Sequence, residues 1–463
     1  MGAQQVMLAT IRRTGWIAAV LACGGALLGA QAAEPPVVLK VDPGAETQIQ
    51  EFVLSVSDIE SALPAFRDVL KWKVLHEGTA GPTVARAWGL PAKSAINEVL
   101  LGNPASRYGY LRLVRVHDQP QQVIRPAGRW WDTGGMFNLN VLVKDLDAVE
   151  TGLARLGWHA VALPDNYVYP GNVRGKSQMM LGPESLVLSF QQRISPPLSG
   201  WPEFESATHV EVGYQLVDDF DAWQEFWTGV MGLPAREPRL RKSGKPVGPN
   251  DYGLPHNATG LDDSRQGGVY PRKGGEQLLG GRQFLNATGY NFSERARPPN
   301  LGIMTLRLPF ADIDPILERA RAAGLALAAE PQIVDLAPYG AVRLAALRSP
   351  GSGMWVEIFE PGAKPLERAA MQALLGRGVR GSWVSFGGGN KGTLVYERSG
   401  RARVTWGSGA ATGRWSLKGN AVCTAWPSMR DGREQCAVYH AVGGRTYQSF
   451  QLDGTPDGFN TFD

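Results

Sequence analysis

Residues 51–78 read EFVLSVSDIESALPAFRDVLKWKVLHEG. Phe52, Leu54 and Val56 alternate with Glu51, Val53 and Ser55, the period of a strand with one face on a core. Asp58 then stands where a helix begins, because its carboxylate can accept from the first free backbone N–H groups. A helix and a return strand follow, so these residues announce a strand–helix–strand start.

The pattern recurs three times. Asn138 opens NLNVLVKDLDAVETGLARLGW, with Asp145 as cap and Gly157 closing the helix twelve residues on. His209 opens HVEVGYQLVDDFDAWQEFWTGVMGL, and Thr305 opens TLRLPFADIDPILERARAAGL, where Asp312 and Gly324 are again twelve apart. Copies one and three share an aromatic-rich helix end, FRDVLKW and FWTGVMGL, whereas copies two and four share D-[LI]-D and the closing glycine. The order is A-B-A-B. Each copy runs on into strand-like segments such as 108–116, 186–190 and 355–359, giving a βαβββ unit. The proline-rich stretch at 194–202 reads as a linker.

The rest of the composition excludes several classes. The chain has 463 residues, 43% of them hydrophobic, with 47 Lys and Arg against 43 Asp and Glu, which is neither disordered nor basic enough for a nucleic-acid groove. Arg12 and Arg13 precede an uncharged stretch from Thr14 to Gly29, and Ala30-Gln31-Ala32 fits a signal-peptidase site, so residues 1–32 are expected to be removed. That cut lowers the charge from +4 to +2 and leaves no transmembrane segment in the mature chain. The expectation is therefore a periplasmic or secreted protein. Val20-Leu21-Ala22-Cys23 also resembles a lipobox, which would anchor the chain at Cys23. In an oxidising compartment, the two remaining cysteines, Cys423 and Cys436, are expected to form a disulfide.

The repeated helix start, the D-[LI]-D helix and the segment SPGSGMWVEIFEP at 349–361 resemble the vicinal oxygen chelate superfamily, which includes glyoxalase I, bleomycin-resistance proteins and extradiol dioxygenases. The resemblance covers residues 51–361. It implies an α+β fold in which four βαβββ units make two paired cups: a first domain at 47–193, a linker at 194–208 and a second domain at 209–363.

The resemblance also implies metal ligands on the first and last strands of each unit, facing the cup. Those first-strand positions hold Glu51, Asn138, Glu211 and Thr305, and the last-strand positions fall near Arg112, Ser189, Gly280 and Glu357. The first pair is a poor cage for a divalent ion, and no metal is expected there. The second pair offers Glu211 and Glu357, with His209 two residues before Glu211 and so on the same face of its strand. His209, Glu211 and Glu357 are the expected ligands of an iron, manganese, nickel or zinc ion. The alternative for Glu211 is an ion pair with an arginine such as Arg307. His256, in a Gly- and Pro-rich excursion, has no supporting motif.

Trp130 and Trp131 open WWDTGG, a connection that would cross a cup's mouth, with one ring packed inward on core or on a flat ligand. Trp131, Glu51, Asn138 and Arg307 are the candidate substrate contacts. Past Gly381 short strand-like runs separated by glycine suggest a small antiparallel sheet or half barrel at 378–463, stapled by Cys423 and Cys436. A helix-like run, ERAAMQALLGRG, from Glu367 joins it to the cups.

Two functions follow as expectations. One is an exported lyase, isomerase or dioxygenase of the vicinal oxygen chelate type, with Glu357 and Glu211 as metal ligands or acid/base groups. The other is a non-catalytic binder of a small molecule with degenerate metal sites. A protein in which both cups are structural and the C-terminal sheet docks a partner is a third reading.

Overall fold

In a computed structural model the described residues are 39, 41, 48–242, 263–272, 275–287 and 289–463. The signal segment, Cys23 and His256 lie outside them. No helix among the described residues is long and apolar enough to cross a membrane.

The strand Glu51–Ser55 is followed by a helix at Ile59–Pro64 that Asp58 caps, accepting from the Glu60 N–H at 3.1 Å. That helix widens into a π-helical turn at Ala65–Val69, and copy three repeats the device with Phe220–Glu225 and Phe226–Val230. Copies two and four have plain helices, Leu146–Arg155 and Asp314–Ala322. Asp145 caps the first, whereas Asp312 accepts the Asp314 N–H. Gly157 and Gly324 close them at φ +86° and +70°, where L side chains are strained.

Two curled mixed sheets result, and their strand order corrects the pairing expected from chain order. In one sheet the eight described strands belong to copies one and four, whose first strands lie antiparallel with Glu51 opposite Arg307. In the other, copies two and three pair in the same way, with Asn138 opposite Tyr214. The cups are thus one with four and two with three. Neighbours in sequence have no large advantage here, because the entropy of closing a loop grows only with the logarithm of its length. What decides is which first-strand edges meet.

The helix-bearing faces of both sheets, including Phe52, Leu54, Leu139, Phe190, Leu306 and Ile358, share one hydrophobic core. The opposite, concave face of the one–four sheet is filled as well. A helix at Pro82–Ala87, inserted between the second and third strands of copy one, lays Val84, Ala85 and Trp88 on Val53, Leu100, Phe359 and Tyr339.

The C-terminal region is a closed barrel of eight antiparallel strands in sequence order, not a half barrel. Its first strand, Val379–Ser385, pairs with its last, Pro456–Phe462. Closure removes both edges, which an open sheet of this size would leave unpaired. Cys423 and Cys436 face each other on adjacent strands and are joined. Met371 and Leu375 of the helix Arg368–Leu375 fill one end of the lumen. The barrel sits on the edge of the one–four sheet, where Gln448 accepts the Ile333 N–H at 2.7 Å and Arg343 donates to the Val442 carbonyl at 2.8 Å.

Candidate functional site

Strand alternation turns Glu51, Arg112, Arg307 and Glu357 to the concave face of the one–four sheet. All four are at most 1% exposed. Glu51 receives Arg112 through both carboxylate oxygens, at 2.8 and 2.9 Å, as well as Arg307 and the Tyr339 hydroxyl at 2.8 Å. Arg307 Nε reaches Glu357 at 2.5 Å, and the Trp88 indole N–H donates to the other Glu357 oxygen at 2.6 Å. Arg112 also pairs with Glu98 at 3.0 Å, and Glu98 meets His76 at 3.2 Å. Three carboxylates and two guanidiniums therefore form one buried chain.

The electrostatics follow from that closure. Burial alone would raise the Glu51 carboxyl, but Arg112 and Arg307 overcome it and hold the group at about 2. Glu98 is lowered against burial mainly by Arg112, and Arg112 is raised against burial by Glu51 and Glu98. Burial drives the Tyr339 phenol well above its usual range. Glu51, Glu98 and Arg112 therefore keep their charges, and Tyr339 its proton, near neutral pH.

A metal does not fit this constellation. One of the positions that the resemblance assigns to ligands holds the Arg112 guanidinium, and with the neighbouring Arg307 it neutralises the same oxygens an ion would need. Thr305, the expected first-strand position of copy four, is buried with its hydroxyl on the Leu306 carbonyl, and Arg307 fills the place opposite Glu51.

His209, Glu211 and Glu357 do not come together. Glu357 belongs to one sheet, and the other two residues to the other. His209 turns to Ser106, at 2.9 Å, and packs on Tyr108 and Trp201, while register shifts on either side of Val210 break the simple alternation that would have kept it beside Glu211. Burial pulls its imidazole down to about 4, so it is neutral at pH 7. Nor does Glu211 pair with Arg307, which is committed to Glu51 and Glu357. Among the described residues, the one group of three potential ligands within reach of one another is Cys423, Glu434 and Cys436, whose sulfurs are in the disulfide.

The concave face of the two–three sheet is polar and differently built. Asn138 donates to Asn140 at 2.6 Å, and Ser189 lies opposite Asn140 on the neighbouring strand. Tyr214 covers the Gly280 position, where any side chain would strike its ring. Glu211 keeps one carboxylate oxygen out of solvent with no hydrogen-bond partner among the described residues, and so does the Asn138 carbonyl oxygen. Burial, aided by the carboxylate of Glu276, pushes the Glu211 carboxyl well up, with Arg193 opposing. This is the titratable acid the cup offers.

The WWDTGG connection lies over the same cup. Trp130 is 4% exposed and packs against Phe137 with ring centres 4.6 Å apart and planes tilted by 48°, with the Arg282 guanidinium 5.4 Å from its ring; Trp131 lies half-buried on the same apolar cluster. Buried Asp132 holds the loop by accepting from Arg129 and from the Tyr290 N–H, both at 2.9 Å. Arg125 ties its carbonyls from beneath.

Glu98, His76, Trp88 and Tyr339 were not singled out by sequence reasoning. Glu98 could have been found from the alternation INEVLLG, in which a charge interrupts an apolar strand. Trp88 and Tyr339 arrive from a helix and a turn, where no period marks them.

No protein-family model matches the sequence, and no curated protein matches it. Among solved structures, it is similar to glyoxalase I from Zea mays, at 11% identity and TM-score 0.45, over 68% of this chain and 92% of that one. It is similar to a putative dioxygenase from Bacillus subtilis, at 12% identity and TM-score 0.42, over 68% and 86%. The Mn(II)-bound glyoxalase from Novosphingobium aromaticivorans is a third, at 10% identity and TM-score 0.22, over 68% and 82%.

Proposed function

We propose that the chain is an exported, non-catalytic binder of a small organic molecule, taken in the concave face of copies two and three, with no metal in either cup. In this reading the four segments are copies of one βαβββ unit that has lost its metal chemistry. The observation that carries it is the mutual pairing of Glu51, Arg112, Arg307 and Glu357. In the one–four cup every inward charged group is spent on another, and a helix fills the remaining space. That leaves the two–three cup, where Asn138, Asn140 and Ser189 offer neutral hydrogen-bonding groups and Glu211 an acid that burial favours in its protonated form. Such a lining can orient a polar ligand. The leader at 1–32 and the Cys423–Cys436 disulfide support export.

The test is metal content together with ligand-induced thermal shift, on the wild type and on Ser189→Trp, which would fill the two–three cup. The proposal expects sub-stoichiometric metal, no shift with divalent ions, and a small-molecule shift that Ser189→Trp removes. A stoichiometric ion that Glu211→Ala releases would overturn it in favour of a metalloenzyme, the reading that the manganese-bound neighbour raises.

A further inference from the structure

The barrel is packed at one end and hollow at the other. Toward the helix Arg368–Leu375, its lumen is filled by Met371, Leu375, Val379 and Phe462. Tyr396 and Tyr439 form the floor above them, their hydroxyls 3.3 Å apart. Over that floor opens a cavity of about 420 Å³. That size falls among small-molecule sites, and eight-stranded barrels are wide enough to hold one small ligand.

Three tryptophans wall the cavity: Trp383, Trp406 and Trp426. Two of them spend their indole N–H groups on the barrel itself, Trp383 on the Thr405 carbonyl and Trp426 on the Thr424 hydroxyl, both at 3.1 Å. Their ring faces are left as wall. Indole faces are costly to leave against water, and they attract flat rings and cations alike.

The polar groups of the wall are arranged as acceptors. Asn460 donates to Ser449 at 3.3 Å, and the Ser449 hydroxyl reaches both the Gly458 carbonyl at 3.3 Å and Asp457 at 3.4 Å, so both donors are spent within the wall. Gln435, across the lumen, keeps its side-chain oxygen shielded from solvent with no partner among the described residues. The charge of Asp457 is felt inside, where it adds to burial in raising Tyr396 to about 12 and in raising Tyr439. Asp457 itself is exposed at the mouth. Arg430 stands exposed at the same mouth and would favour an acid instead. It lies outside the hydrogen-bonded run that reaches the lumen.

We propose that the barrel cavity is a second small-molecule site, independent of the cups, that takes an arylalkylamine: its ring lies among Trp383, Trp406 and Trp426, and its protonated nitrogen meets Asp457. The cavity shape selects a flat ring, the surplus of acceptors selects a donor, and the carboxylate at the mouth selects a cation.

Calorimetric titration of the whole protein with tryptamine, indole and indole-3-acetate tests this. Tryptamine should bind one to one and tighter than the other two. Asp457→Asn should weaken tryptamine by about ten- to a hundredfold, the range of a charge-assisted hydrogen bond, and leave indole unchanged. Ala437→Trp, which fills the cavity from its wall, should abolish binding, and Ser189→Trp in the two–three cup should not. Near-ultraviolet circular dichroism checks folding, with Thr424→Phe as a second filling variant from the same side of the lumen. Binding that persists in a folded, filled variant, an acid bound as tightly as the amine, or no binding of any probe would each overturn the proposal. Loss of tryptamine binding in Ser189→Trp alone would move the site to the cup.

Discussion

Replacing Glu51 by glutamine keeps the shape of the side chain and removes the charge that two buried guanidiniums share. Glu51 is held at about 2 from an ordinary 4.5, a preference that linkage converts to about 3 kcal/mol of stability at neutral pH. Because the residue is fully buried, solvent screening does not discount this figure. Loss of one partner from a buried ion pair gives a similar cost, about 3–5 kcal/mol. Arg112 would keep Glu98, and Arg307 would keep Glu357, so the lower end is expected.

The sign of the pH dependence is fixed as well. A depressed carboxyl stabilises above its unfolded pKa, and the contribution fades as pH falls from 4.5 toward 2. At pH 3 less than half of it remains. The gap between wild type and Glu51→Gln should therefore narrow by more than half between pH 7 and pH 3. Hydrogen exchange read by mass spectrometry at peptides covering 51–55 and 302–309 measures the opening of this sheet locally, with barrel peptides at 391–406 as an internal control. An opening free energy within about 1 kcal/mol of wild type at pH 7 would show that the pairing is geometry without energy, and would remove the ground for calling the cup structural.

Glu211→Gln should act in the opposite sense: a carboxyl raised in the folded state costs stability as pH climbs above its unfolded value, so the variant should melt higher than wild type at pH 8 and match it near pH 4. Trp88→Phe takes the indole N–H from Glu357 and should cost about 1–3 kcal/mol, read by exchange at 355–361. Reducing Cys423–Cys436, which closes a separation of 13 residues, should lower barrel stability by about 3 kcal/mol and leave the 51–55 peptide unchanged. Gly134→Ala should destabilise the WWDTGG connection by about 1–3 kcal/mol, because φ is +93° and the new methyl would strike the Ser293 backbone; an unchanged melting curve would speak against that loop being latched.

The strand–helix starts were legible because each segment carries its own local marks. Asp58, Asp145 and the closing glycines state where helices start and stop, and the alternation at Glu51–Ser55 separates core face from concave face. Partner choice was not legible. Hydrogen bonds between Glu51–Ser55 and Gly302–Pro309 join residues some 250 apart, and no local period encodes such a meeting. Closure of the barrel escaped for the same reason, since pairing of its first and last strands is a property of summed twist. At the site, sequence named Glu51, Arg307 and Glu357 individually. It could not show that they neutralise one another, and the slipped register near Val210 undid the inference that His209 stands beside Glu211.

The nesting of copies two and three inside copies one and four has an engineering consequence. Neither half of the chain holds a complete cup, so coexpressed fragments ending and starting in the 196–206 connection should find each other and complement, much as two halves of a clasp. Joining the scaffold's outer ends and opening the chain at that connection would instead place copies three and four first and one and two last, a circular permutant in which both sheets keep every pairing they have now.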